Sequence, residues 1–198
     1  MNPLGIIGAI DIEITNLLSV MQGKEKVYES GLVFYKGKIE DVCCVVSKCN
    51  AGKVNAAVCT QIMIMKYSPK MVINIGVAGG VGKDIHIGDL VVADACVQHD
   101  FDTSPLGGEK GCVSGIGVKK IMCDRGIAQI LKDIAKEEYE NVHSGIIATG
   151  DMFVSESLMC KKIGEEFDAK AVEMEGGSIA HVCLMNEVPC AVIRAISD

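Results

Sequence analysis

The spacing of apolar residues changes period repeatedly along this chain, which is typical of an α/β fold. Residues 4–10 form a compact apolar run, as expected of a buried strand. The next apolar residues recur at intervals of three and four, which predicts a helix: Ile14, Leu17, Leu18 and Met21. Beyond Gly23, two strands are predicted at residues 31–36 and 39–47, joined by a hairpin turn at Lys36-Gly37-Lys38.

The rest of the chain continues this alternation. Helices are predicted at residues 53–67, 124–138, 156–167 and 177–186. Strands are predicted at residues 71–76, 88–97, 144–149, 171–174 and 189–196, and a glycine-rich turn at 76–80 follows the first of them. The helix at 53–67 collects apolar residues on one face: Val54, Ala57, Val58, Ile62 and Met65. We therefore expect one α/β domain over residues 1–198, with a central mixed, twisted sheet flanked by helices in a three-layer α/β/α arrangement.

Composition supports a buried sheet and narrows the classes of partner. Apolar residues make up 49% of the chain and aromatic residues only 4%, so the core is expected to be mainly aliphatic. The formal net charge of −7 argues against a nucleic-acid-binding protein, which would carry a basic face. No apolar run reaches the length of a membrane span, and the first residues lack the pattern of a signal peptide. A small-molecule ligand or a protein partner fits better.

The ten cysteines do not read as a disulfide scaffold. They form no CxxC pair, and most of them lie within apolar stretches, where cysteine behaves as a small hydrophobic residue. This usage predicts a reducing, cytoplasmic compartment.

Several residues near the ends of predicted strands could carry chemistry. Glu13 suits either the first turn of a helix or a general base. The turn at 76–80 could admit a ligand close to the backbone, or be only a tight turn, and it lacks the GxGxxG pattern of a dinucleotide site. The 99–102 segment, His-Asp-Phe-Asp, alternates between two faces and has no second cluster, so no metal site is expected. Phe153 is either a platform for stacking a base or a core residue. The glycine-rich loop at 103–117 suits a lid or pocket wall.

Acidic residues also converge on the last 28 residues. Glu173 and Glu175 end a strand that reads as buried, and buried carboxylates need partners or a ligand. Arg194 lies in the final apolar run and needs a carboxylate in turn. Asp198 closes that run, and a buried carboxyl there would suit a proton donor near neutral pH.

Six short motifs, in this order, resemble the 5′-methylthioadenosine/S-adenosylhomocysteine nucleosidases of the purine nucleoside phosphorylase/hydrolase superfamily. They are GIIGA followed by Glu13, AGKVNAA at 51–57, INIGVAGG at 73–80, TGDMFV at 149–154, AVEMEG at 171–176 and RAISD at 194–198. The resemblance covers nearly the whole chain. It implies hydrolysis of the N-glycosidic bond of methylthioadenosine and adenosylhomocysteine to adenine and a 5-thioribose sugar, without a metal or an organic cofactor.

The resemblance also implies which residues act. The implied catalytic residues are Glu13, Arg194 and Asp198. The implied substrate-binding residues are Ile10, Ala51, Ala78, Gly79, Phe153, Val154, Glu173, Met174, Glu175 and Ser197.

Roles for individual residues follow from the same resemblance. Glu13 would activate the attacking water, with Arg194 near that water and the sugar. Glu175 would bind the ribose hydroxyls beside the Met174 backbone. Phe153 would stack on adenine, while the Val154 backbone reads its edge. Asp198, oriented by Ser197, would protonate adenine N7. A homodimer is also implied, because members of the family complete the pocket for the 5′ substituent with a partner subunit.

Two alternatives stay open beside hydrolysis. A purine nucleoside phosphorylase would need basic residues to hold phosphate, and the turn at 9–13 ends on Glu13 with no arginine, which favours water. A catalytically silent nucleoside-binding protein is the other alternative. It is suggested because family members continue beyond Asp198 into a helix that we expect to be missing from residues 1–198. Val77 stands where many relatives have a serine near the water and sugar, and Ile10 where a methionine often lines the alkylthio pocket. The loop at 103–107 differs from that of some relatives where it faces the 5′ substituent. The preferred 5′ substituent is therefore left open, with 5′-deoxyadenosine and futalosine-type nucleosides included.

Overall fold

The computed structural model describes residues 2–198, and within that range it contains ten strands and five α-helices. The strands are β1 (Leu4–Gly8), β2 (Gln22–Glu29), β3 (Leu32–Ile39), β4 (Val42–Lys48), β5 (Met71–Gly80), β6 (Leu90–Gln98), β7 (Ile121–Met122), β8 (Val142–Thr149), β9 (Ala169–Glu173) and β10 (Cys190–Ile196). The helices are α1 (Asp11–Val20), α2 (Lys53–Tyr67), α3 (Arg125–Glu138), α4 (Ser157–Phe167) and α5 (Gly176–Met185). The predicted α/β class with a mixed sheet is confirmed.

All ten strands belong to one mixed sheet. Its order is β10-β6-β8-β9-β5-β1-β4-β3-β2, and the short β7 pairs with β6. Because β10 also pairs with β5, the strands β5, β9, β8, β6 and β10 close into a ring. Strands β1, β5 and β10 run parallel, so their carboxyl ends meet at one edge, where ligands of such sheets usually bind.

The core is aliphatic and follows the strands. Fully buried residues include Ile7, Val45, Val72 and Ile147 on four different strands. Burying each such side chain contributes about 1.5–3 kcal/mol. Helix α5 is apolar on most of its surface and packs between α2 and the sheet, which explains why six of its ten residues are buried.

The predicted helix at 53–67 is confirmed to the residue, but its apolar face is not the buried one. The sheet side of α2 carries Ala56, Cys59, Thr60 and Met63. Three of the apolar residues grouped by the sequence are exposed instead: Val54, Val58 and Met65. These three residues, four and seven positions apart, form a stripe along the outer surface of α2, here called the α2 stripe.

The predicted hairpin is confirmed, because β3 and β4 pair antiparallel, but its turn was wrongly placed at Lys36-Gly37-Lys38. Gly37 lies within β3, and the turn falls at Glu40 and Asp41, where Glu40 has φ of 52°. A Cβ at Gly37 would lie 2.7 Å from the carbonyl oxygen of Gln22, so this glycine serves a close approach between strands. Strand β2 was not predicted, since it is a mostly exposed edge strand without an apolar period.

The glycine-rich stretch at 76–80 is also a strand, because β5 continues to Gly80 and pairs there with β9. Strand β10 ends at Ile196, so Asp198 lies beyond it and is exposed, and burial does not prepare its carboxyl as a proton donor. All ten cysteines are free thiols, and seven of them are buried. None of the helices formed by residues 2–198 is long and apolar enough to cross a membrane.

Candidate active site

A cavity of about 170 Å³ opens at the sheet edge where β1, β5, β8, β9 and β10 end. It is lined by Ala9, Ile10, Glu13, Ala51, Val77, Ala78, Gly79, Met152, Phe153, Val154, Val172, Glu173, Met174, Glu175, Ser197 and Asp198. Every site residue expected from the sequence lines this cavity except Arg194, which lies buried behind it. The residues come from both ends of the chain and converge because β1, β5 and β10 are adjacent.

Glu13 is held by three backbone amides. Its Oε2 accepts hydrogen bonds from the N–H groups of Ala9 and Ile10, and its Oε1 accepts one from Val77 at 3.0 Å. The carboxylate therefore caps its own helix and faces the cavity at once, so the two interpretations of this residue are compatible. It is oriented before any ligand binds.

Glu173 lines the cavity, but its carboxylate is fully engaged by protein groups. Oε2 accepts from the N–H groups of Glu175 at 2.9 Å and Gly176 at 2.7 Å, which places it at the N-terminus of α5. The same oxygen receives a hydrogen bond from Arg194, and Oε1 receives one from the Thr149 hydroxyl. Glu173 thus has little capacity left for a ligand, and its main contacts are structural.

Glu175 lies two residues further on in a different environment. Its Oε1 accepts from the Gly52 N–H at 3.0 Å, and its Oε2 lies 3.6 Å from Arg194 Nη2. Burial, followed by the nearby Glu173 carboxylate, raises the pKa of Glu175 to about 7 against the opposing effects of Arg194 and the Gly52 amide. Glu175 is therefore the carboxylate with free acceptor capacity at the cavity wall.

Arg194 is completely buried behind the acidic residues. Its Nη2 donates to Asn74 Oδ1 at 2.6 Å as well as to Glu173. Burial opposes its charge, but the surrounding carboxylates outweigh that effect and raise its pKa. Nε and Nη1 have no hydrogen-bond partner among the described residues. A Cβ at Gly76 would overlap Nη1 and lie 2.5 Å from Glu13 Oε1, so Nη1 and the base candidate approach each other across this glycine.

Asp198 and Phe153 also line the cavity. The backbone of Asp198 is fixed by the Gly80 N–H, which donates to its carbonyl at 2.8 Å, and the Ser197 hydroxyl donates to Asp198 Oδ1 at 2.8 Å. Oδ2 lies over Gly79, where a Cβ would be only 3.5 Å away. Phe153 is 72% exposed, which excludes the core-packing interpretation, whereas Val154 is buried.

The electrostatic character of the cavity is uniform. Four carboxylates line it, those of Glu13, Glu173, Glu175 and Asp198, and no Lys, Arg or His among the described residues does so. Such a wall suits a ligand that develops positive charge and repels an anion.

Three contributors to this arrangement were missed from the sequence. Asn74 orients Arg194, Thr149 bonds both Glu173 and the Gly177 N–H, and Asp151 binds the start of α2. The only sequence signal for them was their position inside two of the quoted motifs. In the 99–102 segment, Asp100 pairs with Lys53 and Asp102 accepts from Ser104 N–H. Within residues 2–198, no group of three or more His, Cys, Asp and Glu is placed to hold a metal ion.

Known proteins resemble this chain over its full length. The sequence model described as the phosphorylase superfamily matches residues 3–198. The 5′-methylthioadenosine/S-adenosylhomocysteine nucleosidase of Oceanobacillus iheyensis is 35% identical over 196 residues, which is 98% of this chain and 85% of that protein. The aminodeoxyfutalosine nucleosidase of Campylobacter jejuni is 35% identical over 198 residues, which is 100% of this chain and 86% of that protein.

Solved structures agree with these sequences. The 5′-methylthioadenosine/S-adenosylhomocysteine nucleosidase from Neisseria meningitidis, in complex with methylthio-immucillin-A, matches with a TM-score of 0.95 and 34% identity. The match covers 100% of this chain and 86% of that one. The chain therefore belongs to the phosphorylase superfamily and, within it, to the nucleosidases related to the methylthioadenosine/adenosylhomocysteine enzymes, which hydrolyse N-glycosidic bonds.

Proposed function

We propose that this protein hydrolyses the N-glycosidic bond of adenine nucleosides that carry a thioether at the 5′ position. The proposed substrates are methylthioadenosine and adenosylhomocysteine. The observation that carries the proposal is that four carboxylates line the cavity while no Lys, Arg or His of residues 2–198 does, and that Glu13 and Glu175 keep acceptor capacity. The reaction passes through a sugar with oxocarbenium-ion character, and anionic groups around it lower the barrier.

Glu13 is the proposed general base. Its Oε1 is oriented by the Val77 amide and faces Gly76, next to the unpaired Nη1 of Arg194. A water bound between these two groups would donate a proton to Glu13 and accept a hydrogen bond from Arg194. As the C–N bond breaks, that water adds to the anomeric carbon and its proton passes to Glu13.

Glu175 is the proposed ligand of the ribose 2′ and 3′ hydroxyls, beside the Met174 backbone. Its carboxylate accepts one backbone amide and keeps acceptor capacity for those hydroxyls, and its ionised form would stabilise the cationic sugar. Asp198 is the proposed acid for the leaving base. Ser197 occupies Oδ1, so Oδ2 is the oxygen left to deliver a proton to adenine N7.

The remaining wall suits the base and the 5′ substituent. Phe153 is the proposed stacking surface for adenine, and the Val154 backbone reads the base edge. The contacts proposed for the rest of the substrate come from small or apolar residues: Ile10, Ala51, Ala78 and Gly79.

Phosphorolysis is the less favoured reaction. Phosphate would have to enter next to Glu13 and Glu175, and the buried cation behind them, Arg194, already donates to Glu173. Repulsion at a carboxylate-lined wall disfavours this anion and leaves water as the nucleophile.

A second substrate class has its own support. The Campylobacter jejuni relative named aminodeoxyfutalosine nucleosidase is as similar to this chain as the Oceanobacillus iheyensis relative. The two substrate classes, the 5′-thioether nucleosides and aminodeoxyfutalosine, share the N-glycosidic bond and differ at the 5′ position. The chemistry proposed for Glu13 and Asp198 is therefore the same for either class.

The test is release of adenine from methylthioadenosine in buffer without phosphate, compared with adenosylhomocysteine and aminodeoxyfutalosine. We expect turnover of the first two, and a loss of roughly 10²- to 10⁴-fold in kcat for Glu13→Gln, which keeps the shape but not the base. Activity that requires phosphate would overturn hydrolysis. A higher kcat/KM for aminodeoxyfutalosine would reassign the substrate, and adenine binding without turnover of any substrate would indicate a silent binding protein.

We further propose that the protein acts in the cytoplasm, in methionine salvage, as a homodimer. Ten free thiols fit a reducing compartment. The α2 stripe, and the exposed ring of Phe153 at the cavity, offer apolar surface for a second copy of the chain.

A further inference from the structure

Three charged residues outside the cavity form a closed hydrogen-bonded cycle. Lys53 Nζ lies 2.6 Å from Asp100 Oδ1, Asp100 Oδ2 accepts the N–H of Asp151 at 2.9 Å, and Asp151 Oδ1 accepts the N–H of Lys53 at 2.6 Å. The three residues belong to the start of α2, the segment after β6 and the segment after β8. The cycle therefore ties together three elements that are far apart in sequence.

Two side chains of the cycle, those of Lys53 and Asp100, are partly shielded from solvent, and the cycle is held by a further hydrogen bond. The Lys53 side chain is 18% exposed and that of Asp100 is 28% exposed, so their attraction is less screened than at an open surface. Burial opposes the charge of Asp100, yet Lys53 and the Asp151 amide outweigh it and lower its pKa. Ser178 adds a further tie, since its hydroxyl donates to the carbonyl oxygen of Lys53 at 2.6 Å.

Two members of the cycle, Lys53 and Asp151, are close in sequence to residues of the candidate active site. Gly52, which precedes Lys53, donates its N–H to Glu175 Oε1 at 3.0 Å. Gly52 has φ of 101°, which favours glycine, and a Cβ there would lie 3.1 Å from Asp151 Oδ1. Asp151 stands two residues before Phe153. One cycle thus sets the amide that holds Glu175 and the start of the loop that carries Phe153.

We propose that Lys53, Asp100 and Asp151 are positioning residues that hold Glu175 and Phe153 at a fixed separation, so that sugar and base are bound in register. The inference rests on the proposed function for the roles of Glu175 and Phe153. None of the three residues is among the described residues lining the cavity, so they act through others and not on substrate. A nucleosidase that loses the spacing between sugar and base sites loses alignment of the breaking bond, and misplacement by about 1 Å can cost 10²-fold in rate.

The decisive comparison is Asp151→Asn against Asp151→Ala. Asparagine keeps a carbonyl oxygen that can accept from the Lys53 N–H, whereas alanine removes the acceptor. We expect Asp151→Ala to lose roughly 10- to 100-fold in kcat/KM. Asp151→Asn should stay within about 3-fold of the unsubstituted protein, because the geometry rather than the charge is needed. The Lys53→Met variant should behave as Asp151→Ala does, with Lys36→Met, in an exposed pair with Glu25, as the matched control.

Two readouts separate positioning from general destabilisation. Loosening the Gly52 amide removes a donor that favours ionised Glu175, so the pH dependence of kcat/KM assigned to Glu175 should move upward in Asp151→Ala and not in Asp151→Asn. Amide hydrogen exchange at Gly52 and residues 151–153 should accelerate in Asp151→Ala and Lys53→Met and stay unchanged in Asp151→Asn. Both are measured at temperatures where circular dichroism shows every variant folded.

The outcomes are distinct. Equal kcat/KM, pH profile and exchange for Asp151→Ala and the unsubstituted protein would overturn the positioning unit, as would an equal defect in Asp151→Asn. If the unsubstituted protein releases no adenine, the proposed function fails instead, and exchange at the Gly52 amide still decides whether the cycle holds that amide in place.

Discussion

At the scale of single residues, Glu173 and Glu175 show how environment divides two identical side chains. Glu173 receives hydrogen bonds from two amides, one hydroxyl and one guanidinium, whereas Glu175 receives one amide bond and a longer ionic contact. The sequence predicted that both would be buried and would need partners, which is correct. The sequence could not predict which of the two carboxylates would remain available to a ligand. That depends on groups that are distant in sequence, at the start of α2 and at the end of β8.

The raised pKa of Glu175 predicts a pH-dependent stability. The folded-state pKa is about 7 and the ordinary value is 4.5, so the unfolded state ionises first as the pH rises. Below about pH 4.5, Glu175 is protonated in both the folded and the unfolded state and does not lower the free energy of unfolding. Stability is then lost as the pH rises to about 7, by a total of about 3 kcal/mol, and stays lost above it.

A Glu175→Gln variant lacks this titration. The difference in free energy of unfolding between this variant and the unsubstituted protein, measured by urea denaturation without ligand, should therefore shift in favour of the variant from pH 5 to pH 8. Asp102→Asn, at an exposed loop position, serves as a control for substitution of a carboxylate as such. Parallel pH curves for Glu175→Gln and the unsubstituted protein would contradict the shift.

At the scale of elements, β5 determines how the site is assembled. Its glycines were expected to form a turn, yet they continue the strand, pairing with β10 on one side and β9 on the other. Glycine content predicts turns because glycine tolerates many conformations, but here the absence of a side chain is what matters. At Gly76 it gives the room in which Arg194 and Glu13 approach each other.

Gly76→Ala tests that interpretation. In the strand, the alanine Cβ would overlap the guanidinium of Arg194, which Glu173 and Asn74 hold in place. We expect a destabilisation of about 1–3 kcal/mol and a loss of activity of at least 10-fold in the folded fraction. The control is Gly145→Ala in β8, where the new Cβ meets only the flexible side chain of Lys170. Comparable thermal stability and activity for the two variants would reject this account.

At the scale of the whole molecule, periodicity alone was enough for the α/β class and for most elements, because buried strands and amphipathic helices leave strong patterns. Periodicity failed at β2, an exposed edge strand, and at the turn of the β3–β4 hairpin, which was misplaced because Gly37 lies inside β3. The site joins Glu13 near one end of the chain to Asp198 at the other. Only the resemblance of several motifs grouped them beforehand, since ring closure between β5 and β10 is a long-range pairing that no local window contains.

The α2 stripe is an exposed apolar surface on a helix that begins next to the active site. Val54 is 72% exposed and Met65 is 74% exposed on a helix whose first residue follows the Gly52 amide at the active site. In the proposed homodimer this stripe lies at the interface, where burial of its side chains drives association. The double variant Val58→Lys/Met65→Lys should weaken the dimer about 30-fold, at about 1 kcal/mol for each position.

Sedimentation equilibrium measures this directly. Ile130→Lys on α3, which replaces an isoleucine that is 59% exposed, controls for the effect of adding a surface lysine. A monomeric unsubstituted protein would overturn the homodimer, and a dimer weakened equally by Ile130→Lys would move the interface away from α2. If the stripe is the interface, turnover should fall together with dimer content as the protein is diluted, because α2 begins directly after Gly52, whose N–H binds Glu175 at the cavity wall.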